Sequence, residues 1–221
     1  MRLASRLAIA AALFTASTAT PAAVIIANGQ NGYYNSGLGT ILDTNGVNDP
    51  FPCANVACGD ATVSYPTAPN LAAGAAALGT WLTNAAPSGG SWSAGAVAIP
   101  ASWAINTETA IVYAIDAGAG LTGLSLSLGV DNGIFVWLDG NYIFGARAGG
   151  GASANEYVFA LPNISAGTHF LQILREDHGG ATDYLIGLSG AFVQRVPEPA
   201  SIALLGLGLL GIGLRRRTRF N

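Results

Sequence analysis

The chain is expected to fold as an all-β sandwich or barrel, and three observations carry that expectation. Its second half reads as strands at roughly ten-residue spacing, the cadence of a sandwich. One of these runs alternates apolar and small polar residues with a period of two. Between the runs stand turn-forming pairs, above all Asp139-Gly140.

Taken in order, residues 110–115 form a strand with Ile111, Tyr113 and Ile115 on one face. Leu124, Leu126, Leu128 and Val130 alternate with Ser125, Ser127 and Gly129, which predicts a half-buried strand. Asp131-Asn132-Gly133 predicts a turn, and the dense run 134–138 a strand with Trp137 in the core. Asp139-Gly140 closes a hairpin onto residues 141–144. A glycine-rich loop over 145–155 leads to a strand over 156–161. Residues 162–167 turn into a strand over 168–174, where His169 is expected to be a hydrogen-bonded core or face residue. A polar loop over 175–183 precedes the last strand, from Tyr184 to about Gln194. Earlier in the chain, residues 24–27 and 37–42 fit strands. The alanine-rich stretch 70–83 fits a short helix, with Leu71, Leu78 and Leu82 near one face.

Composition narrows the function. The 221 residues are 51% apolar and 10% charged, where a soluble domain is about a quarter charged. Disorder needs the opposite balance. There is no lysine, and of nine arginines only Arg147, Arg175 and Arg195 fall within residues 24–195, against eleven acids, a net charge of −8. Such a body is repelled by phosphate backbones, which excludes nucleic-acid binding. Its length suits one domain.

The two ends read as addresses. Arg2 and Arg6, an apolar run over 7–14 and small residues up to Ala23 follow the order of a secretory signal, so residues 1–23 are expected to be a signal peptide cut after Ala22 or Ala23. A buried N-terminal helix fits that order less well. Residues 196–221 combine Pro197-Glu198-Pro199, an uncharged Leu/Gly-rich run over 200–214, and Arg215, Arg216, Arg217 and Arg219. As a helix the run spans about 22 Å, short of the roughly 20 residues a bilayer prefers, with the arginines held on the cytoplasmic side.

Those three parts, in that order, resemble the PEP-CTERM sorting signal of Gram-negative bacteria. The resemblance implies an exported protein whose transmembrane helix anchors it in the inner membrane until an exosortase cleaves near the motif. It then implies release to the cell surface or outside, commonly beside exopolysaccharide and biofilm matrix. A plain single-pass anchor with a chance Pro-Glu-Pro is the alternative.

Cys53 and Cys58 are the only cysteines. In an exported chain, flanked by turn formers, they are expected to form a local disulfide that pins a surface loop. A metal site would need a second pair of soft ligands.

A second resemblance covers the body. Gly129-Val-Asp-Asn-Gly133, the strand ending Leu138-Asp-Gly140, the glycine-rich loop and Leu161-Pro-Asn-Ile-Ser-Ala-Gly-Thr168 resemble the galactose-binding-like jelly roll, an architecture shared by many carbohydrate-binding modules. Residues 172–184 also resemble a stretch in other PEP-CTERM proteins of undefined activity.

Three groups of residues suggest chemistry. Glu176, Asp177 and His178, with Asp183, offer oxygens and an imidazole for calcium or sugar hydroxyls. The plainer reading is a polar inter-strand loop. Asp43, Asn45, Asn48 and Asp49 form another oxygen-rich stretch of ordinary turn chemistry. Trp92, between Ser91 and Ser93, is the tryptophan best placed for exposure and stacking on a sugar, and burial is its alternative. Calcium is the one cofactor these groups suggest. With two histidines and no Gly-x-Ser-x-Gly elbow, catalysis is not expected. The expected function is a non-catalytic surface or matrix component touching exopolysaccharide. A carbohydrate-binding module is the alternative, and a polysaccharide-active hydrolase stands behind both.

Overall fold

The protein is seen in a computed structural model that describes residues 21–42, 62–177, 179–194 and 205–209. Among the described residues the strands are β1 (Ala23–Ile26), β2 (Asn31–Gly39), β3 (Val63–Ser64), β4 (Val97–Ala98), β5 (Glu108–Asp116), β6 (Leu121–Leu138), β7 (Asn141–Ala148), β8 (Tyr157–Ala160), β9 (Thr168–Glu176) and β10 (Asp183–Phe192). A 3-10 turn, Ala72–Gly74, runs into a single α-helical turn, α1 (Ala75–Leu78). Every pairing of these strands is antiparallel. The fold is all-β and fits the expected sandwich.

Strand β6 belongs to two sheets. Its first part pairs with β10 and β8, and β10 pairs in turn with β1. Its last part, from Asn132, pairs with β7 and β9. That second sheet continues through β5 to β2 and β4, with β3 beyond β7. The chain doubles back between the two parts. Leu121 follows Asp116 after a short turn, and Asp116 pairs with Thr168 at the start of β9. At the other end of β6, Leu138 pairs with Leu171, three residues along β9. Both ends of β6 therefore lie at one end of the sandwich, termed the base, with turns 117–120, 139–140 and 162–167. The opposite end, termed the bend end, carries residues 131–133, 149–156 and 177–182. Asp131-Asn132-Gly133 thus reverses the chain as expected, but from sheet to sheet, and pairing continues through it: Asp131 faces Asp183 in one sheet and Asn132 faces Ala148 in the other.

Three intervening residues keep the alternation in phase. Leu124, Leu126, Leu128 and Val130 from one arm and Ile134, Val136 and Leu138 from the other all enter one core between the sheets, with Ile111, Tyr113, Leu171, Ile173, Ile186 and Leu188. The second sheet also buries its other face. Phe135, Trp137, Ala110, Val112 and Leu174 lie beneath Leu38, Leu42, Leu78 and Trp81. This two-sided burial explains why 134–138 is a dense apolar run and not an alternating one. The helix expected over 70–83 shrinks to residues 72–78. Gly74 and Gly79 flank α1, and glycine is among the weakest helix formers, so the short helical turn gains its place by burying Leu78 in the cluster that holds Trp81 and Trp137.

Several boundaries move. The strand expected over 37–42 starts at Asn31 and ends at Gly39, held by β5 and β4 despite its Gly, Asn and Ser content. The hairpin strand after Gly140 runs on to Ala148, shortening the glycine-rich loop, because Ala146 and Arg147 pair with β6 and β3. At Gly140 (φ +75°) a Cβ would come within 2.2 Å of the Leu82 carbonyl oxygen, so only glycine lets the cover approach this hairpin. The polar loop expected over 175–183 contracts to 177–182, since β9 continues through Arg175 and Glu176 and β10 begins at Asp183.

Strand β1 begins at Ala23, the last residue of the expected signal peptide, and Ala23 pairs with Gly190 near the end of β10. Residues 205–209 are helical with exposed leucines. Among the described residues no helix is long and apolar enough to cross a membrane. Residues 1–20, Cys53 and Cys58, the stretch 43–49, His178, Pro197, Glu198, Pro199, Arg215, Arg216 and Arg217 lie outside the described residues.

Candidate functional site

The polar chemistry of the body gathers at the bend end. Arg175 is fully buried on the inter-sheet side of β9. Its Nε donates to Thr109 Oγ1 at 2.9 Å and Nη1 to the Pro100 carbonyl oxygen at 3.0 Å, while Nη2 meets no hydrogen-bond acceptor among the described residues. Aromatic rings fill the remaining space. The guanidinium carbon lies 4.1 Å from the Trp103 ring centre, 4.7 Å from Tyr184 and 5.7 Å from Tyr34. A cation over ring faces is attracted by their quadrupoles, most strongly where water is excluded. Burial pushes the Arg175 guanidinium down from its ordinary value, and Tyr184, Tyr34 and Tyr113 oppose that shift. A lone arginine in an apolar strand, with tryptophan and tyrosines elsewhere in the chain, was the available sequence signal for this cage. Arg175 stands in the sequence at the start of a polar stretch, which hides its place in β9.

Residue 176 faces the other way, as alternation requires. Glu176 pairs with Glu108 on one side and Gly133 on the other, and Gly133 pairs with Arg147. Glu108, Glu176 and Arg147 are thereby placed in one row across the covered face, all buried. Gly133 carries no side chain between the carboxylate and the cation.

Asp177, also buried, ties loops together. Its Oδ2 accepts from the Asn106 N–H at 2.7 Å and the Gly179 N–H at 2.9 Å. Thr182 completes the junction by donating to the Trp103 carbonyl oxygen and accepting its N–H. Asp183, half-buried in β10, accepts the Tyr184 N–H. The residues named for a ligand loop are therefore divided. Glu176 lies on the covered face, Asp177 in the loop junction, and Asp183 in the first sheet opposite Asp131. Trp92 is half-buried, not a free platform. It stacks on Trp81 at 6.4 Å between centres and its Nε1 donates to the Leu78 carbonyl oxygen. Beside it, an open apolar groove of about 290 Å³ runs along Leu71, Ala75, Leu78, Trp81 and Leu82.

At the base, His169 meets its expectation of a hydrogen-bonded face residue. Its Nδ1 lies 2.6 Å from Asp139 Oδ2, and Asp139 Oδ1 accepts the Phe170 N–H. The pair clamps the hairpin turn to the start of β9. Among the described residues no group of three or more His, Cys, Asp or Glu is placed to hold a metal ion.

Buried tyrosines give the fold an alkaline limit. Burial pushes the Tyr113 hydroxyl up to about 12, with Tyr184 and Arg175 opposing. It pushes Tyr142 up to about 12 as well, aided by Tyr65. Tyr184 rises well above its ordinary value for the same first reason. A phenol whose folded pKa exceeds its unfolded value of about 10 contributes stability that is whole below pH 10 and lost as pH rises through the folded value. Denaturant titrations are expected to show constant stability from neutrality to about pH 10 and a progressive fall towards pH 12. A flat profile across that window would contradict the burial.

Beyond β10 the chain enters its tail. Residues 195–217 match the PEP-CTERM protein-sorting motif. This PEP-CTERM tail contains Pro197-Glu198-Pro199 and the arginine cluster on which the sequence resemblance rests. It implies an exported protein sorted by an exosortase and anchored transiently in the membrane before processing. No curated protein matches the chain.

Proposed function

We propose that the chain is a non-catalytic component of the cell surface or extracellular matrix, delivered by its PEP-CTERM tail and associating there with exopolysaccharide of a biofilm. The observation that carries this reading is the tail itself, at the end of an all-β body. The body's titratable groups support it by serving the fold: Arg175 in its aromatic cage, Asp177 across two loops, His169 on Asp139. No sugar release from polysaccharide is expected.

The test is the melting temperature of the processed protein with the host's own exopolysaccharide, with calcium and with chelator. A ligand that binds only the folded state must raise it. A rise with exopolysaccharide is expected, and no rise would refute the association.

A second reading is a calcium-dependent carbohydrate-binding module of the galactose-binding-like type, and its support is the all-β body with the turns that resemble that architecture. It predicts that a Glu176→Ala/Asp177→Ala change abolishes retention on polysaccharide. Both side chains are buried, so retention has to be compared where the variant is still folded.

A further inference from the structure

The turn at 162–167 holds the sequence Asn163-Ile164-Ser165. An asparagine followed two positions on by Ser or Thr, with no Pro between, is the acceptor pattern for an N-linked glycan. Of all the asparagines in the chain, Asn163 alone stands in it. The fold presents this pattern to solvent. Ile164 and Leu121 exchange backbone hydrogen bonds in both directions at 3.0 Å, and the Ile164 side chain is buried in the inter-sheet core. Alternation about that extended point turns Asn163 and Ser165 outward together. Both are exposed, as are Pro162, Ala166 and Gly167 beside them.

The asparagine amide is also oriented. Its Oδ1 accepts the Gly123 N–H at 3.1 Å, which turns the carbonyl towards the body and leaves Nδ2, the atom that takes a sugar, on the solvent side. On the other flank the Ser165 carbonyl oxygen lies 3.2 Å from His169 Nε2. The turn is thus fixed at both ends by its backbone and side-chain carbonyls, while the Ser165 side chain remains exposed.

This turn lies against the exit of the tail. Gly120 separates the two: a Cβ there would meet the Ile164 carbonyl oxygen at 3.1 Å and a Val193 methyl carbon at 3.3 Å. The Val193 N–H donates to the Gly120 carbonyl oxygen, and the PEP-CTERM motif begins at residue 195. From Val193 to the start of the uncharged run at Ala200 the chain spans at most about 25 Å. While the tail anchors the chain, Asn163 is therefore kept on a short tether from the bilayer, where lipid-carried sugar donors reside.

We infer that Asn163 is the attachment site of an N-linked oligosaccharide, transferred while the tail still holds the chain in the membrane. The donor is an oligosaccharide carried on a lipid pyrophosphate, and the catalyst is a membrane transferase. The bond between the sugar C1 and the pyrophosphate oxygen breaks, and its electron pair leaves with the lipid pyrophosphate. C1 bonds to Asn163 Nδ2, which gives up one proton to the transferase. The Ser165 hydroxyl, on the same outward face, is the group by which the pattern is recognised. The inference rests on membrane anchoring by the PEP-CTERM tail, and on no claim about association with exopolysaccharide.

The test is mass spectrometry of the protein purified from its host, in the membrane-held and the released form. Trypsin cuts after Arg147 and Arg175 and so isolates residues 148–175. That peptide is expected to carry an oligosaccharide on Asn163 in both forms. A bare peptide, or a glycan confined to the released form, would overturn the proposal. Ser165→Ala keeps the backbone contacts of the turn, and is expected to lower occupancy about tenfold or more without changing the melting temperature. Ser165→Thr is expected to retain the glycan and Asn163→Gln to abolish it. A glycan that survives either Ser165→Ala or Asn163→Gln is linked by other rules and overturns the site. Denaturant strips non-covalent exopolysaccharide before digestion, so failure of that association leaves this result unchanged.

Discussion

Arg175→Ala is expected to lower the unfolding free energy of the body by about 4 kcal/mol, a fall of roughly 10 °C in Tm for a domain of this size. Three losses combine. The largest fully buried side chain among the described residues is removed, leaving a cavity among Tyr34, Trp103 and Tyr184. Thr109 Oγ1 and the Pro100 carbonyl oxygen lose their donor, and a buried acceptor without one costs about 1–3 kcal/mol. The rings lose the cation. Against these stands relief from desolvating a charge, often several kcal/mol. Arg175→Met keeps most of the volume and gains that relief, so its expected cost is only about 1–2 kcal/mol. Urea denaturation of both variants decides the matter. If methionine costs as much as alanine, the cation is worth more in its cage than in water.

Trp137→Ala carries the second largest expected loss, about 4 kcal/mol. The ring is 2% exposed and lies edge-on to Trp81 at 5.1 Å and to Tyr142 at 5.6 Å between centres. Trp81 in turn stacks on Trp92, so the change undermines the whole cover. Alongside the loss in denaturant, the Trp92 indole N–H, bonded to the Leu78 carbonyl oxygen, is expected to exchange with solvent much faster, while amides of β10 keep their protection relative to global stability. Trp137→Phe should recover more than half of the loss. A cost below about 1 kcal/mol for alanine would mean that the cover is held by something other than this ring.

These contributions differ in how plainly the sequence announces them. The β6 alternation from Leu124 to Val130 is readable because one of its faces is wet and the other dry. The run 134–138 announces burial but not what covers it, since nothing in five apolar residues distinguishes a second sheet from a layer of loops. Strand β2 hides for the opposite reason: Asn31, Gly32, Asn35 and Ser36 have little strand preference, and long-range pairing with β5 overrides it. The candidate site shows the same divide. A cluster of Glu, Asp and His looks like one loop in sequence, yet alternation along β9 sends Arg175 and Glu176 to opposite faces. The cage around Arg175 joins residues 34, 103, 175 and 184, contacts that no local pattern encodes. The tail is the reverse. Its information lies in order and composition, so it is legible without any fold.

The doubled strand β6 also sets the order in which this fold can be completed. Its four neighbours are β7, β8, β9 and β10, and all of them follow it in the chain. Among the described residues, strand β1, the first to emerge, pairs with β10, the last, and with no other strand, and Asn28 closes that link to Ile186 across 158 positions. In a chain delivered N-terminus first, β1 therefore waits for the last strand, although β2, β4 and β5 can pair before β6 is added. The sheet that holds both ends of the body is the last to be completed.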